Sequence, residues 1–149
     1  MLGAEPEIPM DVTLEQANDI IARALRRSAE AGYKPMAVVV LDASGHTKSA
    51  QRQDGASMFR IDIATGKAWA SIAMGAASRV LTQRAKDLPA FFGALAATGN
   101  GKFIPQTGAV LIKDGEGRVI GAAGASGGTG DEDEAICIAG IEGAGLQAG

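Results

Sequence analysis

The sequence predicts an α+β domain, a single mostly antiparallel sheet with helices packed on it. Three observations lead there. Two pairs of β-type runs are each joined by a short turn, "DASG" at 42–45 and "KDGEGR" at 113–118, and strands joined so closely pair antiparallel. Stretches of helical periodicity precede, separate and follow the two hairpins. The chain has 149 residues, 46% hydrophobic and 21% charged, which suits one domain able to bury about 70% of its unfolded surface without a disulfide or metal.

Residues 1–10, with Pro6 and Pro9, read as an arm, and residues 11–149 as one domain. Thr13 and Gln16 stand three apart, as in a capping box, ahead of Leu14, Ala17, Ile20, Ile21, Ala24 and Leu25 on one helical stripe, and Gly32 ends the helix. Met36–Leu41 is an apolar, β-branched strand, and His46–Gln53 is its more polar return strand. The next helix is expected from Ser57 to about Ser78, with Phe59, Ile63, Lys67, Ala70 and Met74 in one row. Its segment "ATGKAWASIAMGAAS" is poor in bulk, with Gly66 and Gly75 inside it. Each such glycine costs about 1 kcal/mol against Ala, which close packing has to offset.

A connector of one or two short helices is expected to break at Pro89, with Phe91 and Phe92 as core plugs. The second hairpin pairs Val110–Lys113 with Val119–Ala125, and "DG" before Gly117 marks its turn. The last helix opens on "DEDE", with acidic residues where the helix dipole favours them and Thr129 or Asp131 as its cap.

Composition excludes several functions. Net charge is −3 and no block of Lys and Arg stands out, so the basic face that nucleic-acid binding needs is missing. No apolar run approaches the length of a membrane span. "MLGAEPEIPMDV" has neither a basic n-region nor an apolar h-region, so a cytoplasmic location is expected. The single cysteine, Cys137, lies in "AICIAG" and reads as a small buried hydrophobe. One His and one Cys are too few for a zinc site.

Glycine is abundant, 21 residues with ten between Gly115 and Gly145, which points to tight turns and close backbone approaches. "GAAGASGGTGDEDE" runs into a helix start but lacks the Lys-Ser/Thr ending of a phosphate loop. Its N–H groups either bind an anion or are capped by Thr129 or Asp131, and the three carboxylates that follow oppose a free anion.

Four other residues carry candidate chemistry. His46, the only histidine, is either a solvated imidazole or an axial haem ligand. Lys67 either snorkels to water from an apolar row or is desolvated beside Asp54 or Asp133, as a carboxylate anchor or a base. Asp54 is either a helix cap or an acid–base group, and Arg52 is its partner or a second anion contact.

The ordered set "VVVLDASGHTKSAQRQDGA", "IATGKAWAS" and "GAVLIKDGEGRVIGAAGASGGTGDEDEAICIAGI" resembles the GlcG/HbpS family over Thr13 to Gln147. The resemblance implies a profilin-like α+β domain that forms dimers or larger rings. Members include haem-binding proteins of sensing systems and a domain appended to PduO-type cobalamin adenosyltransferases. It implies that Asp54, Gly55, Lys67, Ser126, Gly127 and Asp133 match recurrent family positions, and that His46 falls where members often carry His.

The reading is therefore a haem- or tetrapyrrole-binding homo-oligomer. Arg52, Gly55, Lys67, Ser126 and Gly127 are expected to contact the ligand, with His46 as the metal ligand and Arg52 and Lys67 pairing with propionates. The alternatives are an enzyme or accessory protein of organic-acid or aromatic catabolism, with Asp54, Lys67 and Asp133 as its catalytic groups, and a structural subunit without a ligand.

Overall fold

The computed structural model describes residues 11–149, and the arm expected at 1–10 lies outside them. The elements are α1 (Leu14–Ala31), β1 (Ala37–Asp42), β2 (Thr47–Arg52), α2 (Phe59–Met74), α3 (Ser78–Asp87), α4 (Pro89–Thr98), β3 (Ala109–Lys113), β4 (Val119–Ser126), α5 (Gly130–Gly143) and β5 (Gln147–Ala148). The strands form one sheet in the order β2-β1-β4-β3-β5, antiparallel throughout. The two hairpins thus lie side by side, joined where β1 pairs with β4. This is the α+β architecture expected.

Both faces of the sheet are covered. Val38, Val40, Val110, Ile112, Ala123 and Ala125 pack against Ile20, Ile21, Ile136 and Ile141 of α1 and α5. Val39, Leu41, Ala109, Leu111 and Ala122 pack against Ala64 and Ala68 of α2. That is why β1 is a continuous apolar run rather than an alternating one: side chains of both parities are buried.

Local signals behaved as their chemistry requires. Thr13 and Gln16 form the capping box, with bonds of 2.9 and 3.1 Å, and Thr129 and Glu132 form a second one at α5. At the two hairpin turns, Asp42 and Asp114 each accept two backbone N–H bonds from the turn.

Other expectations are corrected. The helix expected over 57–78 spans only Phe59–Met74, because Gly75 is not interior but a left-handed C-cap at φ 66°. Phe92 is buried, whereas Phe91 is 53% exposed on α4, so only one of the pair plugs the core. The strand β5 lacks a period-2 signal. It forms because the chain end docks on β3, where Gly149 and Leu111 exchange backbone bonds of 2.7 and 3.0 Å.

The small-residue helix does approach its neighbours closely. A Cβ at Gly124 of β4 would stand 2.4 Å from the Ala64 carbonyl oxygen of α2. A Cβ at Gly66 would meet the Ile104 side chain at 2.5 Å.

Candidate functional site

Arg60, Ile63 and Lys67 follow each other at three- and four-residue spacing and share one face of α2. Lys67 does not snorkel. It is 6% exposed, and its Nζ donates to Asp133 Oδ2 at 3.0 Å and to the Ala125 carbonyl at 3.1 Å. It reaches them by crossing Gly108, where a Cβ would sit 2.7 Å from the ammonium nitrogen. The other oxygen of Asp133 accepts the Gly128 N–H at 3.0 Å. Burial pushes the Asp133 carboxyl above its ordinary range, against the opposing pull of Lys67, the Gly128 N–H and Arg60.

Over this pair lies a cavity of about 420 Å³. Arg60, Gln106, Thr107, Ser126 and Thr129 supply its polar wall, and Ile63 is its apolar contribution. Arg60 Nη1 donates to Ser126 Oγ at 3.3 Å. The three carboxylates at the start of α5 are each engaged. Asp131 pairs with Arg79, Glu132 accepts the Thr129 N–H, and Asp133 holds Lys67.

The remaining sequence candidates lie elsewhere. Arg52 and Asp54 border a separate hollow of about 560 Å³ beside Tyr33 and Pro35. The Arg52 guanidinium donates to the Ala56 carbonyl rather than to Asp54. Asp54 does not cap α2, whose N-cap position is Met58, with no side-chain cap bond. Gly55 sits in the β2–α2 turn at φ 89°, a left-handed conformation that favours glycine. Gly127 has φ 149°, and a Cβ there would lie 2.2 Å from the Pro35 carbonyl oxygen. It shapes the loop into α5, while Gly128 and Gly130 face the cavity.

His46 lines a third hollow, of about 340 Å³, with Gly45, Thr65, Trp69 and Lys102. At about 100° per residue, Lys67 and Trp69 project about 200° apart on α2, so the helix separates this hollow from the Lys67 cavity. Within one chain, then, Lys67, Asp133 and Ser126 come together, while Arg52 and His46 do not join them. The expected single pocket uniting Arg52, Lys67 and His46 does not form within one chain. Burial pushes the Cys137 thiol up, away from reactivity, and no metal-ligating cluster of three or more His, Cys, Asp or Glu occurs among the described residues.

Sequence reasoning missed Arg60, Gln106 and Thr107. Arg60 did carry a signal, seven residues before Lys67 and three before Ile63. Gln106 and Thr107 come from the loop before β3, and nothing local marks them.

Comparisons with known proteins bear on this geometry. The family model described as haem degrading protein HbpS-like matches residues 12–142. The corrinoid adenosyltransferase PduO of Citrobacter freundii is 27% identical over 131 residues, which are 88% of this chain but 38% of that protein. The chain therefore spans well under half the length of this relative. Among solved structures, the Klebsiella pneumoniae protein ORFY superposes with a TM-score of 0.83 at 24% identity, covering 97% of both chains. The PduOC:heme complex gives 0.81 at 25% identity, covering 93% of this chain and 97% of that one. HbpS gives 0.78 at 24% identity, covering 95% and 96%.

Proposed function

Since the chain belongs to the HbpS-like family, we propose that it binds haem or a related tetrapyrrole and works as a homo-oligomer. Support comes from the family's description as haem degrading and from a similar fold solved as a haem complex. Within this chain the reading rests on His46.

The residues around His46 fit the group. Its side chain is 80% exposed, and its Nδ1 lies 3.8 Å from Asp42 Oδ1. At that distance the carboxylate is an electrostatic neighbour and not a hydrogen-bond partner, so the exposed imidazole is free to take a ligand. Trp69 gives the hollow an aromatic wall, and a Cβ at Gly45 would come within 3.3 Å of that indole, so the turn carrying His46 rests on it. Lys102 stands at the same hollow as a cation for a propionate. By contrast, the Arg60 cavity is walled mostly by polar groups and suits a macrocycle poorly.

In this reading His46 would hold the iron, Trp69 would shield one side and Lys102 would pair with an acid group. Haem, when bound, supplies an iron centre for ligand-binding or redox chemistry. The hollow, of about 340 Å³, is smaller than a porphyrin with its propionates, and in this reading a second copy covers the rest. Large apolar side chains are exposed at Met58 and Phe59 and again at Leu88 and Phe91.

Hemin titration tests the reading. A saturable, shifted Soret band that disappears in His46→Ala supports it. A saturable band that His46→Ala leaves unchanged removes His46, and no saturable band removes the reading. Light scattering on the eluting protein measures the subunit number.

A further inference from the structure

On the face of α2 turned away from His46, we propose that the Arg60 cavity is a binding site for a small hydroxylated monocarboxylate. The charges around it single out Arg60. Lys67 is neutralised by Asp133. Asp131 is turned to Arg79, which also binds Glu134. Arg60 makes no ion pair among the described residues. Its bond to Ser126, which is 1% exposed at the end of β4, holds the guanidinium at the cavity wall. That bond uses Nη1 alone, and a planar guanidinium with its other N–H groups uncommitted among the described residues suits a carboxylate.

The balance of charge sets the valence of the guest. One unpaired cation neutralises one negative charge. A second charge on the guest would face Asp131 and Asp133, and the Arg79 cluster of one cation and two carboxylates is itself net negative. A monocarboxylate is therefore favoured over phosphate.

The lining sets the rest of the chemistry. Gln106 offers an amide, and Thr107 and Thr129 offer hydroxyls, against the one apolar wall of Ile63. Thr107 Oγ1 is already paired with Thr82 Oγ1 at 3.1 Å, and Thr129 Oγ1 accepts the Glu132 N–H at 3.2 Å. Both are thus held in place with bonding capacity to spare. A guest with its own hydroxyls satisfies such a wall, and an apolar acid leaves it unpaired. The volume of about 420 Å³ exceeds an acid of a few carbons and leaves room for water beside it, so size does not select the guest and the polar lining does.

Calorimetric titration of the full chain with sodium lactate tests this site, with propionate and inorganic phosphate as the other arms. Saturable lactate binding is expected, weakened tenfold or more in Arg60→Gln, weakened less in Arg60→Lys, and unchanged in His46→Ala. Propionate, which lacks the hydroxyl, is expected to bind more weakly than lactate. The proposal is overturned if lactate does not saturate below about 50 mM, if both Arg60 variants keep the native affinity, or if phosphate or propionate binds as tightly as lactate. Should Arg60→Gln not fold, Arg60→Lys and lactate-induced shifts of the Gln106 and Thr129 amide resonances decide the matter. Because hemin is read at His46 on the other side of α2, either result stands without the other.

Discussion

Lys67 of α2 and Asp133 of α5 meet at 3.0 Å, although their helices pack on opposite faces of the sheet. The contact runs past the end of β4, where the Ala125 carbonyl takes a second bond from the ammonium. Two buried charges have exchanged water for one another, and the exchange holds only while both are present.

Removing one partner alone leaves a buried charge uncompensated. Lys67→Met or Asp133→Leu is expected to cost about 3–5 kcal/mol of unfolding free energy, and the double substitution substantially less than the sum. Urea unfolding of the four proteins measures the coupling. Additive single effects would show that the pair contributes nothing as a pair.

The same pair predicts a pH dependence. Burial raises the folded Asp133 carboxyl above its ordinary value of 3.8. An acid raised by folding stabilises the fold fully below its unfolded pKa, and this contribution is lost as pH rises through the folded value. Lys67→Met removes the strongest opposing charge and lifts the folded value further. The variant's deficit against the native protein should therefore widen from about pH 4.5 to about pH 7.5. An equal deficit in urea melts at both pH values contradicts this.

Glycines on the closely packed faces should not tolerate a methyl group, whereas an exposed helical glycine should. Gly124→Ala would press on the α2 backbone at Ala64, and Gly140→Ala on the α1 backbone at Ile20, each at 2.4 Å. Each is expected to cost about 1–3 kcal/mol. At Gly93, on α4, an added Cβ meets nothing within 4 Å among the described residues, and Gly93→Ala should stabilise by about 1 kcal/mol. Thermal melts of the three variants check the opposite signs.

Ser71 is fully buried in α2, and its hydroxyl has no hydrogen-bond partner among the described residues. Ser71→Ala removes an unsatisfied polar atom and adds helix propensity, so it should raise stability by about 0.5–2 kcal/mol. A lower melting temperature for this variant would mean that the hydroxyl is bonded after all.

The legible parts of this protein are those set by neighbours in the chain. The capping box at Thr13, the two Asp-led hairpin turns and the apolar run of β1 involve residues at most a few positions apart, and their geometry follows from local sterics and hydrogen bonding. The extent of α2 was misread because a glycine's left-handed conformation at position 75 leaves no mark in helical periodicity. The site was half legible. Lys67 stands out as a cation in an apolar row, with Asp133 as one of its two candidate partners, and Ser126 stands out through family resemblance, whereas Arg60 lies one position past the apolar row that starts at Phe59.

By itself the sequence determined the α+β class, the two hairpins and the caps at Thr13 and Thr129, since each depends on short-range pattern. Only the tertiary structure decided that Lys67 pairs with Asp133, that Arg60 rests on Ser126, and that His46 and Arg52 lie apart from both. Both of those contacts join residues 66 positions apart. Which side chains meet at such a distance is set by the face of the sheet each helix covers and by the few glycines that let a long side chain pass.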